Sequence, residues 1–175
     1  QVQDEVLETA RRRAYSESLN AALDELDAAR RAEGGRLAVM LEARLVEIEA
    51  LIATAAAAAA ARMKSAGERL AAQVAALLEA TSAVPANRLA QELALIAVKS
   101  DVLEEIDRLR AHVGQARELL AMDDAVGRRL DFLCQEFNRE ANTLCSKSGD
   151  VAMTRAGLAL KAVIDQLREQ VQNVE

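Results

Sequence analysis

The feature that most restricts the fold of this chain is a long run of helical periodicity. The run predicts one amphipathic helix, about 65 Å long at a rise of ~1.5 Å per residue. One proline, seven glycines and 2% aromatic residues nearly exclude a β-sandwich or barrel. We therefore predict an all-α fold, an elongated bundle of long amphipathic helices. Apolar residues repeat at steps of three and four from Arg36 to Ala80, at Leu37, Leu41, Leu45, Ile48, Ile52, Ala55, Ala59, Met63, Ala66, Leu70, Val74 and Leu77.

The segments around this helix predict further helices and one clear turn. Helix-forming sequence precedes it from Asp4 to Glu33, and Gly34 and Gly35 either end that helix or are tolerated within a longer one. The turn is predicted at Thr81–Ala86, which contains Pro85, and it divides the chain into a long-helix region, residues 1–86, and a C-terminal helical domain, residues 87–175. The helices predicted in the second region are Asn87–Lys99, Val102–Met122, Ala125–Lys147 and Val151 to about Val171. Ser100 and Asp101 resemble a helix cap between the first two of them.

The long helix also predicts self-association. The apolar residues that repeat along this helix form a stripe on one face. A chain of 18.8 kDa cannot bury so long an apolar stripe by itself, so residues 1–86 are expected to pack on another subunit. The alanine run Ala55–Ala61 fits a close approach of two backbones, or equally a drift to the best helix-forming residue.

Charge and hydropathy limit the partners. A net charge of −6 disfavours non-specific wrapping of nucleic acid, so any nucleic-acid contact should be a local patch. The longest uncharged stretch, Ala50–Ala61, is shorter than the ~20 residues that span a bilayer, so we expect no membrane partner. Cys134 and Cys145 lie too far apart on one predicted helix to form a disulfide, which is compatible with a reducing cytoplasm.

Two polar blocks could carry chemistry, and the first is acidic. Four carboxylates, those of Asp101, Glu104, Glu105 and Asp107, precede His112, the single histidine. Asp101 and Glu105 lie one helical turn apart and could share a divalent cation, but His112 is two turns further on. A second element must therefore complete a metal site. The alternative is an ordinary ion pair between Glu104 and Arg108, with acids at a helix start.

The second block lies on the predicted helix Ala125–Lys147. Its polar face has few of the lysines and glutamates typical of a solvated helix, and Glu136 and Glu140 form a carboxylate pair one turn apart. The face either forms an interhelix network or binds RNA sugars and phosphates or metal-bound water. Its ridge consists of Arg128, Asp131, Gln135, Asn138 and Asn142.

Three blocks in this order resemble a known family. They are NRLAQELALIAVKSDVLEEIDRLRAHV from Asn87, AVGRRLDFLCQEFNREANTLCSKS from Ala125, and the closing LKAVIDQLREQVQNVE. Together they closely resemble the C-terminal part of the YicC-like stress-induced proteins of bacteria. The resemblance implies a divalent-metal-dependent endoribonuclease in the cytoplasm that forms a hexamer, acts with other RNA-degradation proteins, and includes an N-terminal mixed α/β RNA-binding portion absent from this chain.

The resemblance places the family's blocks on both polar segments, and we assign roles within them. We expect His112, Glu105 and Glu140 to be catalytic, with His112 moving a proton. The expected ligands of a Mg²⁺ or Mn²⁺ ion are Asp101, Glu104, Glu105, Glu136 and Glu140. The expected RNA-binding residues are Arg128, Arg129, Gln135, Asn138, Arg139, Asn142 and Lys147. The alternative function is a non-catalytic assembly or adaptor module that oligomerises and holds RNA or a protein partner.

Overall fold

The computed structural model describes the backbone of residues 2–79, 86–122 and 124–174, and the side chains of residues 7–69, 71–72, 75, 102–122 and 124–174. None of these residues forms a β-strand, which confirms the all-α prediction. The four helices are α1, Val2–Glu79; α2, Ala86–Leu120; α3, Gly127–Lys147; and α4, Val151–Val171.

The structure decides one helix boundary that the sequence left open and corrects another. Gly34 and Gly35 lie inside α1, so both glycines are tolerated within one long helix and do not end it. The cap predicted at Ser100 and Asp101 is wrong, because α2 runs through both residues. Serine and aspartate lower helix stability by no more than about 0.7 kcal/mol each inside a helix, and no glycine or proline stands beside them to end it. The turn predicted at Thr81–Ala86 lies outside the described residues, except for Ala86.

The later boundaries agree more closely with the prediction. The helix α3 starts two residues later than predicted, after the N-cap Val126, and Asp124 Oδ1 accepts the Ala125 amide at 2.7 Å just before it. At the start of α4, Asp150 is the N-cap, and its side chain accepts the Ala152 amide at 3.1 Å.

The chain divides into two compact units, Gln1–Met40 and Leu41–Glu175. The first unit is the N-terminal part of α1. Several of its large apolar side chains, among them Tyr15, Leu19 and Leu23, are more than half exposed. Ion pairs one turn apart, such as Arg12 to Glu8 at 2.6 Å, lie along its surface.

The second unit has a core to which all four helices contribute. The Arg117 guanidinium of α2 joins Glu42 and Glu49 of α1, each at 3.0 Å. The alanine run is divided, since Ala55 and Ala59 are buried whereas Ala57 and Ala60 are exposed. The stripe of α1 is therefore covered by this chain at Leu41, Leu45, Ile48, Ile52, Ala55 and Ala59.

The helices α3 and α4 are antiparallel and approach closely at one glycine. A Cβ atom at Gly157 of α4 would overlap with the Sγ atom of Cys145 on α3. Small residues at such a contact allow two helix backbones to pack together.

We predict that Gly157→Ala destabilises the chain and that Cys145→Ala reverses the effect. The added methyl group overpacks the helix contact, at a cost of about 1–3 kcal/mol. With Cys145→Ala in the same chain, the overlapping sulfur atom is gone. Urea denaturation of the two single variants and the double variant measures the coupling. If Gly157→Ala lowered the free energy of unfolding equally in the parent and in the Cys145→Ala protein, this packing would be contradicted.

Candidate metal centre

The candidate site lies along the seam between α2 and α3. Lys147 Nζ is 3.0 Å from Glu105 Oε1, and Arg108 Nη1 is 3.4 Å from Glu140 Oε1. The residue numbers rise along α2 as they fall along α3, so the two helices are antiparallel. This geometry brings the second polar block alongside the first, as a two-helix site requires.

His112, Glu136 and Glu140 come together at one point of this seam. Each offers one ligand atom, and these atoms all lie within 4.8 Å of one another. Glu140 is only 4% exposed, whereas His112 and Glu136 are half-buried. Glu136 and Glu140 are one turn apart on α3, and His112 comes from α2. The second helix therefore supplies the histidine to the carboxylate pair.

The environment of His112 fits a metal ligand. Its Nδ1 atom is 3.3 Å from Gln115 Oε1, an acceptor with which a protonated Nδ1 forms a hydrogen bond. Its Nε2 atom is buried and has no hydrogen-bond partner among the described residues. The Phe137 ring and the imidazole pack in an edge-to-face arrangement, with their ring centroids 5.6 Å apart, and this contact restricts the orientation of the imidazole. A metal-binding histidine commonly donates its other ring nitrogen to an acceptor in this way.

The other predicted acids occupy different positions along the seam. Glu104 is exposed and pairs with Arg108 at 2.6 Å, which is the ordinary ion pair named as the alternative. Glu105 is 4% exposed and pairs with Lys147, while its Oε2 atom has no partner in the described part of the chain. The Asp101 side chain lies outside the described residues. The metal role of these three acids stays a prediction.

The predicted RNA-binding residues separate into two grooves. Arg128 and Arg129 line a groove between α2 and α3 together with His112 and Glu136. Lys147 lies on the seam, paired with Glu105. The other four residues line a second groove between α3 and α4, and they are Gln135, Asn138, Arg139 and Asn142.

Part of the polar ridge forms an interhelix network. Asn138 donates to Asp165 Oδ1 at 3.1 Å, and Arg168 Nε is 3.1 Å from Asp131 Oδ1. Sequence reasoning did not select Lys161 and Arg168, which also line the second groove. Their signal, two cations two helical turns apart on α4, is common on solvated helices.

Cys134 offers no nucleophile at neutral pH. Burial raises the pKa of the Cys134 thiol to about 12, so it stays protonated. Cys145 Sγ packs at the Gly157 contact. Among the helices that the structure describes, none is both long and apolar enough to cross a bilayer.

The fold and this site define a class of all-α proteins with a histidine and two carboxylates held between antiparallel helices. The chain belongs to the family described as "Endoribonuclease YicC-like, C-terminal", whose model matches residues 55–175. This finding confirms the resemblance found in the sequence.

Two curated relatives carry the same kind of name. A protein of Clostridioides difficile, "Probable endoribonuclease YicC", is 44% identical over 108 residues, which cover 62% of this chain and 37% of the relative. A protein of Haemophilus influenzae with the same name is 49% identical over 89 residues, covering 51% of this chain and 31% of the relative. The chain thus matches about a third of the length of these relatives.

Proposed function

We propose that this chain carries the divalent-metal centre of an endoribonuclease that cleaves RNA phosphodiester bonds. The observation that carries the proposal is the group of His112, Glu136 and Glu140, with ligand atoms within 4.8 Å of one another. The family and the names of its relatives support RNA as the substrate.

The donor set indicates which cation suits the site. One imidazole nitrogen and two carboxylate oxygens suit Mn²⁺, whereas Mg²⁺ prefers oxygen ligands alone. Of the two ions expected from the sequence, Mn²⁺ therefore fits better. A divalent cation here would polarise a phosphoryl oxygen and make bound water more acidic.

The residues around this group have distinct tasks in the proposed reaction. His112 serves as a ligand through Nε2 instead of moving a proton, because Nε2 is buried with no hydrogen-bond partner among the described residues while Nδ1 lies 3.3 Å from Gln115 Oε1. Arg108 balances the negative charge of the buried Glu140. Arg128 and Arg129 line the adjoining groove, where they can hold the phosphates that flank the cleaved bond.

The assembly and setting of the protein belong to the same proposal. We infer that the protein works as a homo-oligomer, which the family resemblance implies is a hexamer. We place it in the cytoplasm, where it would act with RNA-degradation proteins in a stress response. The exposed apolar side chains of Leu19, Leu23 and Leu26 support self-association, because one helix face presents all three.

The second candidate function is a non-catalytic assembly or adaptor module. The paired contacts of Asn138 with Asp165 and of Asp131 with Arg168 favour it, since they explain part of the polar ridge without a ligand. The adaptor function does not explain the buried, unpartnered Nε2 atom of His112.

Metal binding and cleavage by the same preparation separate the two functions. Titration with Mn²⁺, followed by electron paramagnetic resonance, should show one site per chain, and chelator should stop RNA cleavage. His112→Asn should weaken Mn²⁺ binding by about 10- to 100-fold, because the shorter amide cannot replace Nε2. Asp107→Asn, which changes an exposed acid paired with Arg110, is the matched control and should bind normally. Undiminished cleavage in chelator would reject the proposal.

A further inference from the structure

The groove between α2 and α3 has an apolar wall beside the candidate metal centre. Phe132 is 61% exposed and Met122 is 44% exposed, and both line this groove with His112 and Glu136. The groove has a volume of about 600 Å³. Binding sites for small molecules have volumes of roughly 300–1,000 Å³, so one nucleotide fits.

Phe132 does not belong to the core. The neighbouring apolar residues of α3, Leu130, Leu133 and Phe137, are all buried against the other helices. Phe132 instead points along the polar side of the helix into the groove. An exposed aromatic face is a surface on which any nucleobase can stack.

Phe132 lies in line with a cation and a candidate metal ligand. Arg128, Phe132 and Glu136 follow one another at four-residue steps, about 6 Å apart along the helix axis. Arg128 has no carboxylate partner among the residues described by the structure. The line therefore offers a guanidinium with no carboxylate partner in the described part of the chain, an aromatic face and a carboxylate in succession.

We propose that Phe132 stacks the base of the nucleotide beside the scissile phosphate, with that phosphate at Glu136 and the preceding or following phosphate at Arg128. The inference rests on the proposed function for the position of the reaction, but base stacking itself needs no metal. The ligand class is single-stranded RNA, because the bases of a duplex are already stacked. Phe132 is thereby a substrate-binding residue that selects unpaired nucleotides.

The test combines substitutions at Phe132 with RNA that lacks one base. Phe132→Ala and Phe132→Leu should each raise KM about 5- to 150-fold with kcat nearly unchanged, since both lack an aromatic face. Phe132→Trp should restore the parent KM. Leu158→Ala, which changes a 58% exposed side chain on α4 outside this groove, is the control and should behave as the parent.

Abasic substrates show whether the lost contact is with a base. The parent should bind RNA with an abasic nucleotide next to the cleavage site as weakly as Phe132→Ala binds intact RNA. When Phe132→Ala binds the abasic RNA, the loss of affinity should be little larger than that from either change alone. Additive losses would overturn the proposal. A change of oligomeric state in Phe132→Ala, seen by light scattering, with unaltered RNA affinity would assign the residue to a protein contact instead.

A binding measurement in chelator separates this proposal from the proposed function. RNA that carries 2-aminopurine at the same nucleotide should lose fluorescence on binding to the parent and not to Phe132→Leu. This result would support stacking even if the chain cleaved no RNA. Equal quenching by the parent and Phe132→Leu would overturn the stacking proposal, whatever the cleavage assay showed.

Discussion

Glu140→Gln is expected to lower RNA cleavage by about two orders of magnitude or more while the chain stays folded. The amide keeps the size of the side chain but removes the negative charge that a divalent cation needs, and metal-derived stabilisation is several kcal/mol. Stability should change little. Arg108, the cationic partner of Glu140, keeps its ion pair with Glu104 at 2.6 Å and is itself half exposed to water.

The matched control for this prediction is Glu104→Gln. It removes the closer carboxylate partner of the same arginine, but Glu104 is not one of the three residues that come together, His112, Glu136 and Glu140. Cleavage rates, Mn²⁺ titrations and urea denaturation on both variants compare the two roles. If Glu140 served only the interhelix network, Glu140→Gln would lower stability and leave cleavage and Mn²⁺ affinity near those of the Glu104→Gln protein.

The sequence predicts the ends of α3 and α4 well because their signals are local. Ser148, Gly149 and Asp150 interrupt a regular apolar pattern, and Asp150 caps α4 as aspartate often does. The same locality explains the pairing of Glu136 with Glu140, since residues four apart share one helix face. Neither inference needs knowledge of what packs against the helix.

The inner face of α2 was harder to predict. Leu103 is exposed, whereas the adjacent Val102 is buried. The buried side of α2 includes Val102, Glu105 and Leu109 at steps of three and four, so Glu105 lies on it. Glu104 then faces water, so two adjacent acids that the sequence places in one block have different surroundings.

Which residues of α2 lie opposite which residues of α3 depends on tertiary packing, and no local sequence pattern determines it. His112 meets Glu136 and Glu140 only because the two helices run antiparallel with Lys147 opposite Glu105. From the sequence, a second element was needed to complete the metal site, but which acids joined the histidine was open. The structure groups His112 with the acids of α3, while Glu104, Glu105 and Asp107 of α2 lie in ion pairs.

Lys147→Met is expected to destabilise the chain by about 3–5 kcal/mol, because it leaves the Glu105 carboxylate buried without its cation. Glu105 is 4% exposed, and its Oε2 atom already has no hydrogen-bond partner among the described residues, so the 3.0 Å contact with Lys147 is important to it. A methionine of similar length keeps the packing of the lysine stem and removes only the charge.

The double variant Lys147→Met with Glu105→Met should regain most of the lost stability, since an apolar pair can replace a buried ion pair. Urea denaturation of the single and double variants measures this recovery, and RNA affinity of the same proteins tests the role predicted for Lys147 from the sequence. A lysine that served mainly to hold phosphate would give Lys147→Met parental stability and weaker RNA binding, and the double variant would recover neither. Mn²⁺ affinity close to that of the parent in Glu105→Met would place Glu105 outside the metal centre, as the group of His112, Glu136 and Glu140 implies.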